Sequence, residues 1–288
     1  MRFVTFRVNG NISYGAVSGD GVIDLGKKLG AKYPALVDIM RGGDAALAEA
    51  RSAANGPADY KLSDITFVPP VPGGEKIVCV GINYPERAEE YKDNREKPKY
   101  PNLFMRVPGS IVGHNEAILR PTVSEQFDYE GEIVLVIGKK GRNISRETAL
   151  DHVFGMTLGN EGSVRDWLRH GTLNVTQGKN FDDSGSMGPW VVTKDEANPF
   201  AKLRLMTRVN GELRQDDTTD RLTWDFAELI RYLSMFMTLK PGDMIFTGTP
   251  VGAGGHQNPK KWLVPGDVVE IEVAEIGILK NHVEDYRP

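Results

Sequence analysis

The stretch FDYEGEIVLVIGKKG, residues 127–141, sets two carboxylates, Glu130 and Glu132, two positions apart at the mouth of a strand. Alternate side chains on a strand share a face, so both carboxylates point the same way. Residues 133–137 are apolar at odd and even positions alike, which is how a strand covered on both sides reads. Carboxylates buried there need a cation or strong donors. A second pair with the same spacing, Glu270 and Glu272, alternates strictly with Val269, Ile271 and Val273. That is the pattern of a half-exposed strand with a solvated acidic face. Glu161 ends the strand-like run FGMTLGN, with Asp166 just beyond it. Carboxylates gathered at strand ends suit a hard divalent cation such as Mg2+. It takes about six oxygen ligands and keeps waters that a chelating 2-oxo acid can replace. Zinc is disfavoured: the five histidines lack metal-motif spacing and Cys79 is the single cysteine.

The elements that must hold these groups are mostly strands and turns. VNGN (8–11), SGDG (18–21) and RVNGEL (208–213) carry hairpin signals, and PGD precedes the strand-like runs MIFTGT and VVEIEV. The apolar spacing predicts helices over 33–53 and 224–237, the second capped by Thr223, and a short one over 145–153. FVPPVPGGEK (67–76) breaks regular structure, so a small β-rich N-terminal domain (1–70) is expected before a larger domain (71–288). The fold class is α+β, mostly β.

The chain has 288 residues, 40% of them hydrophobic and 26% charged, with a net charge of −4. This balance gives no reason to expect nucleic acid or an anionic membrane as partner. The alternating N-terminus MRFVTFRVNG is no signal peptide, and no apolar stretch reaches membrane length, so a cytoplasmic location is expected. Lys179 sits in the loop GKNFDDSGSMGPW, where a lysine is ordinarily solvated. TGTPVGAGG (247–255) is glycine-rich but lacks the Gly-Lys-Ser/Thr of a phosphate loop. Its backbone N–H groups suit a carboxylate or enolate oxygen.

Taken together, VGINY (80–84), DYEGEIVLVIGK (128–139), GNEGSVRDW (159–167), GKNFDDSGSMGPW (178–190), NGELRQ (210–215), LKPGDMIFTGTPVGAG (239–254) and IGILKNHV (276–283) resemble the fumarylacetoacetate hydrolase family, in order, over roughly 75–288. The resemblance implies a mixed β-roll catalytic domain, a homodimer, a Mg2+ or Mn2+ cofactor and 2-oxo or 2,4-dioxo acid substrates from aromatic or sugar-acid breakdown. It assigns Glu130 and Glu132 as metal ligands, with Glu161 where the family has aspartate. It assigns Lys179 to the substrate's developing negative charge. Thr249 and Gly248 of the Thr-Gly-Thr-Pro loop, Tyr84 and Arg106 are the expected substrate contacts.

The family's hydrolases carry a His and a Glu, three residues apart, that activate water. Here those positions are Arg87 and Glu90. Arginine is no general base. Pro85 can open a short helix with Arg87 and Glu90 on one face. The pair is then either a surface ion pair or a clamp for a second substrate carboxylate, with Glu90 the remaining base. Any of His114, His152, His170, His256 and His282 could replace the missing base, with His114 and His170 the first to test. Three functions follow. The first is metal-dependent hydrolysis of a C–C bond in an acylpyruvate-like acid. The second is an isomerase, tautomerase or decarboxylase of a 2-hydroxy-dienoate or 2-oxo-enoate. The third is a non-catalytic 2-oxo-acid binder.

Overall fold

The computed structural model describes residues 1–90, 99–172 and 174–287. Among the described residues the strands form a 12-stranded mixed sheet, a five-stranded sheet and a two-stranded ribbon. Gly131–Ile137 lies inside the large sheet, antiparallel to Val153–Asn160 on one side and to Met244–Phe246 on the other. Beyond Met244–Phe246 the parallel strand Ile77–Gly81 follows, then Asn102–Arg106.

The strand Gly131–Ile137 is buried at every position. Ile133, Leu135 and Ile137 join a core with Leu205, Val209, Ile271 and Leu279 of the five-stranded sheet. Val134 and Val136 face the opposite way, onto Leu36, Ile39 and Met40 of the N-terminal helices. The doubly covered strand is therefore what the unbroken apolar run specifies. Each fully buried aliphatic side chain stabilises by about 1.5–3 kcal/mol relative to exposure.

The N-terminal strands extend the large sheet, with Arg2 opposite Val192 of the strand Gly185–Thr193. Both Asn-Gly hairpins turn as expected. Asn9 and Gly10, and Asn210 and Gly211, all take positive φ (50°, 80°, 52° and 79°), as a type I′ turn requires.

Helix ends differ from expectation. The 33–53 region is two helices, Leu36–Arg41 and Gly43–Ala53, divided where Gly43 takes φ +63°. The later helix is Phe226–Phe236, capped by Asp225, which accepts from the Glu228 N–H at 2.9 Å. Thr223 donates its own N–H to Asn83 O instead. Within 145–153 only a 3-10 turn forms, Ala149–His152. No described helix is long and apolar enough to cross a membrane.

Candidate active site

Glu130 precedes the buried strand, and Glu161 follows the neighbouring strand Val153–Asn160. The Glu161 N–H donates to Glu130 O at 2.8 Å and the Glu130 N–H donates to Asn160 Oδ1 at 3.0 Å, which locks the two strand ends together. Gly131 separates the two glutamates because a Cβ there would stand 2.0 Å from Thr207 Oγ1. Glu132 Oε2 accepts from the Gly248 N–H at 2.7 Å. Gly248 has φ +103°, and a Cβ on it would meet Asn83 Cβ at 2.6 Å, so only glycine brings that N–H so close. The three carboxylates are 4%, 1% and 2% exposed and line one cavity of about 550 Å3.

Cations surround Glu130. Arg87 Nη2 and Arg165 Nη2 donate to its Oε1 at 2.6 and 2.9 Å. Ser163 Oγ donates to Oε2 at 2.9 Å, and Lys179 Nζ donates to the same oxygen. Lys179 Nζ also donates to Ser163 Oγ at 2.7 Å and pairs with Glu161 Oε2 at 3.0 Å. Lys179 is thus no solvated loop lysine; it ends the short helix Thr176–Lys179 and is buried.

These contacts split the carboxylates. Burial pushes Glu130 up, but Arg165, Lys179 and Arg87 outweigh it and hold the acid well below the usual range. Glu132 is pushed well above that range by burial and by the charges of Glu161 and Glu130. Glu161 is raised by burial and by Glu130, against the pull of Lys179. Burial lowers Lys179, but Glu130 and Glu161 overcome it and keep the ammonium charged.

Glu161 Oε1 is buried with no hydrogen-bond partner. Among the described residues no three potential metal ligands stand in a ready coordination cluster. Even so, an all-oxygen set with one oxygen that lacks a hydrogen bond and two acids pushed up by burial and like charge is chemically suited to a hard divalent cation.

Pro85 does open a short helix, Pro85–Glu90, and Arg87 pairs with Glu90 on one face of it. Arg87 is only 1% exposed, so this is not a surface ion pair. Its second contact is Glu130 rather than solvent. Both Glu90 oxygens are engaged: Oε2 by Arg87, Oε1 by the Gly252 N–H at 2.9 Å. Ile82, on the cavity wall, holds φ +55°. That conformation is unfavourable for a β-branched residue, and such strain clusters at functional sites.

Comparison with known proteins fits this arrangement. The family described as Fumarylacetoacetate (FAA) hydrolase C-terminal matches residues 76–284. The chain belongs to the fumarylacetoacetate hydrolase family. Human oxaloacetate tautomerase FAHD2B, mitochondrial, is 36% identical over 289 residues, covering 98% of this chain and 91% of its own. Oxaloacetate tautomerase YisK of Bacillus subtilis is 36% identical over 302 residues, covering 98% of this chain and all of its own (100%). The solved structure of maleylpyruvate hydrolase from Sphingobium sp. SYK-6, in complex with manganese(II) ion and pyruvate, superposes with a TM-score of 0.83 at 27% identity, covering 100% of both chains.

Within this family member the expected residues divide. Arg87, Glu130, Glu132, Glu161, Lys179 and Thr249 line the cavity. Arg106, Tyr84, Gly248 and Glu90 do not line it. Arg106 was expected to meet substrate, but its donors go to Ser110, Gly162 O and Ser184, and it stands 3.6 Å from Glu161 Oε1. Burial pushes the Tyr84 phenol far up, and the Gly248 N–H serves Glu132. His114 packs edge-on to Phe67 and His170 lies on Trp167; neither lines the cavity.

Three groups complete the site: Gln215 and Asp128, which the sequence did not single out, and His256, which it left among five histidines without preference. Gln215 accepts from the Gly131 N–H at 3.0 Å and donates to Thr249 Oγ1 and Pro250 O, both at 2.8 Å, tying the Glu-Gly-Glu backbone to the threonine loop. Asp128 accepts from Arg165 Nε at 2.7 Å and from the Gly254 and Gly255 N–H groups at 2.8 and 2.9 Å. His256 lines the cavity. Its place directly after the glycine-rich loop was the available signal.

Proposed function

We propose that this protein is a divalent-metal-dependent tautomerase of a 2-oxo acid, moving a proton between C3 and the enol oxygen. One observation carries this reading: both oxygens of Glu90 are occupied and its partner is Arg87 rather than a base. A group so held is a poor activator of water, whereas a keto–enol shift needs no activated water. The likeness to two oxaloacetate tautomerases over 98% of the chain supports the same order. It reverses the order expected from sequence, where hydrolysis came first.

Glu130, Glu132 and Glu161 are the residues that would hold Mg2+ or Mn2+. When bound, the ion would polarise the 2-oxo group as a Lewis acid. The chain itself supplies the rest. Lys179 holds a fixed positive charge where oxygen becomes anionic. Arg165, pinned by Asp128, orients Glu130. Thr249, held by Gln215, offers a polar contact for the substrate carboxylate. Val80, Phe104 and Leu168 give the lining an apolar part, with the Phe104 ring centre 5.2 Å from the Lys179 ammonium.

C–C bond hydrolysis of a 2,4-dioxo acid is the second reading. It is favoured by the whole-chain likeness to a maleylpyruvate hydrolase. The two separate in one assay. Purified protein with Mg2+ or Mn2+ is given oxaloacetate and, separately, acylpyruvates, with products followed by NMR. Accelerated keto–enol interconversion with all carbons retained, lost in E130A/E132A, establishes the tautomerase. Release of pyruvate and a free acid from acylpyruvates, with no acceleration of interconversion, replaces it with the hydrolase.

A further inference from the structure

His256 ends the short turn Gly254–His256, just beyond the Thr249 loop, and lines the cavity with Glu130, Lys179 and Arg87. Its Nδ1 is 3.2 Å from the backbone carbonyl oxygen of Glu90. A carbonyl oxygen only accepts, so Nδ1 carries the proton. The neutral ring then keeps its lone pair on Nε2.

The turn under the ring is fixed. Asp128 takes the N–H groups of Gly254 and Gly255. A Cβ on Gly254 would stand 1.9 Å from Lys261 O, so the two backbones touch. Among the described residues, the charged groups acting on the ring include Arg87, Arg165 and Glu90, and Asp128 holds the ring's own loop. Burial and the two guanidinium groups push the imidazole below its ordinary value against the pull of Glu90, which keeps it neutral. A neutral imidazole that shares a cavity with a charged lysine is an acid–base pair with separated roles.

We propose that His256 is the proton-transfer residue of this site, doing from the glycine-rich loop what Arg87 cannot do from the helix Pro85–Glu90. The inference rests on the tautomerase reading. In the keto-to-enol direction the Nε2 lone pair takes the C3 proton. The C3–H electron pair becomes the C2=C3 π bond, and the C2=O π pair moves onto oxygen, opposite Lys179. That oxygen then takes a proton from solvent. In reverse the imidazolium returns its proton to C3.

The test uses the full chain with Mg2+ and oxaloacetate in D2O, following deuterium at C3 and keto–enol interconversion. H256N keeps an amide N–H for Glu90 O but has no base at Nε2. It is expected to lose about 100-fold or more in kcat, with KM and the affinity for oxalate, an enolate-shaped anion, within about threefold of wild type. The acid limb of the wild-type pH profile, set below the usual imidazole range, is expected to vanish. Free imidazole is expected to restore rate to H256A. In wild type, oxalate is expected to shift the His256 ring resonance.

H256N within about threefold of wild type in kcat, or H256A deaf to imidazole, overturns the assignment. Absence of enzymic exchange in wild type, with pyruvate released from acylpyruvates, overturns the tautomerase reading instead. The two failures are therefore distinguishable.

Discussion

Arg87 donates to Glu130 across 2.6 Å, and both side chains are almost wholly buried. A buried arginine of the helix Pro85–Glu90 thus offsets the charge of a carboxylate at the mouth of the central strand. The same arginine pairs with Glu90, so one guanidinium couples the helix Pro85–Glu90 to the acidic cluster.

Replacing Arg87 by methionine removes a positive charge from the place where a cation is proposed to bind. At an effective dielectric near 20, repulsion between such charges over several ångströms is a few kcal/mol. R87M is therefore expected to bind Mn2+ about tenfold or more tightly. Without metal it is expected to be less stable by about 1–3 kcal/mol, because Glu130 and Glu90 each lose a donor. Calorimetric titration with Mn2+ and denaturant unfolding read the two effects. Unchanged or weaker Mn2+ binding would show that Arg87 does not compete with the ion.

E132Q should separate stability from metal binding. Glu132 is raised by burial and by its neighbours' charges, so its ionised form is unfavourable in the metal-free protein. Glutamine keeps an oxygen for the Gly248 N–H. The metal-free variant is expected to melt about 2 °C or more above wild type. Stabilisation by MnCl2 should be mostly lost. A lower melting temperature without metal contradicts the charge-crowding account.

D128N tests the support beneath the cavity. One carboxylate serves Arg165 and three backbone N–H groups, those of Tyr129, Gly254 and Gly255. Each oxygen takes two donors, so an amide must turn its NH2 toward two of them. The expected cost is about 2–3 kcal/mol. Faster hydrogen exchange at Gly254 and Gly255 is expected as well, since their acceptor is weakened. Wild-type protection at both amides would place the loop's support elsewhere.

His114 gives stability a pH dependence away from the site. Burial and nearby Lys280 push it down to about 4. Its Nδ1 accepts the Lys280 N–H at 3.1 Å, which a protonated ring cannot do. The unfolded chain has an ordinary histidine near 6.5 and binds the proton first. This stabilisation is therefore present above pH ~6.5 and lost as pH falls toward about 4. About 1–3 kcal/mol should go over that window. H114N keeps an acceptor and should lose the slope. The check is the difference in denaturant midpoints between wild type and H114N at pH 7.5 and 4.5, and equal slopes would refute it.

The sequence by itself determined the doubly covered strand, the hairpins and the family. Those signals are local: an unbroken apolar run, Asn-Gly pairs, and short motifs in order. It also separated the buried pair Glu130 and Glu132 from the solvated pair Glu270 and Glu272. The latter alternate with buried positions and pair at the surface with Lys280 and Arg208. The tertiary structure decided which cations serve which acids. Arg87 and Arg106 looked alike as basic residues near a cleft, yet one faces the cavity and the other is spent on Ser110, Gly162 and Ser184. Helix ends also went to the fold, where Asn83 claims Thr223 and leaves Asp225 to cap. His256 was one of five histidines open to the sequence, and only three dimensions set it apart from His114 and His170, because it stands 166 positions along the chain from Glu90, the residue it touches. Periodicity reports which face a side chain takes on its own element. Where a long side chain ends depends on donors and acceptors that distant segments bring, and only the packed chain settles that.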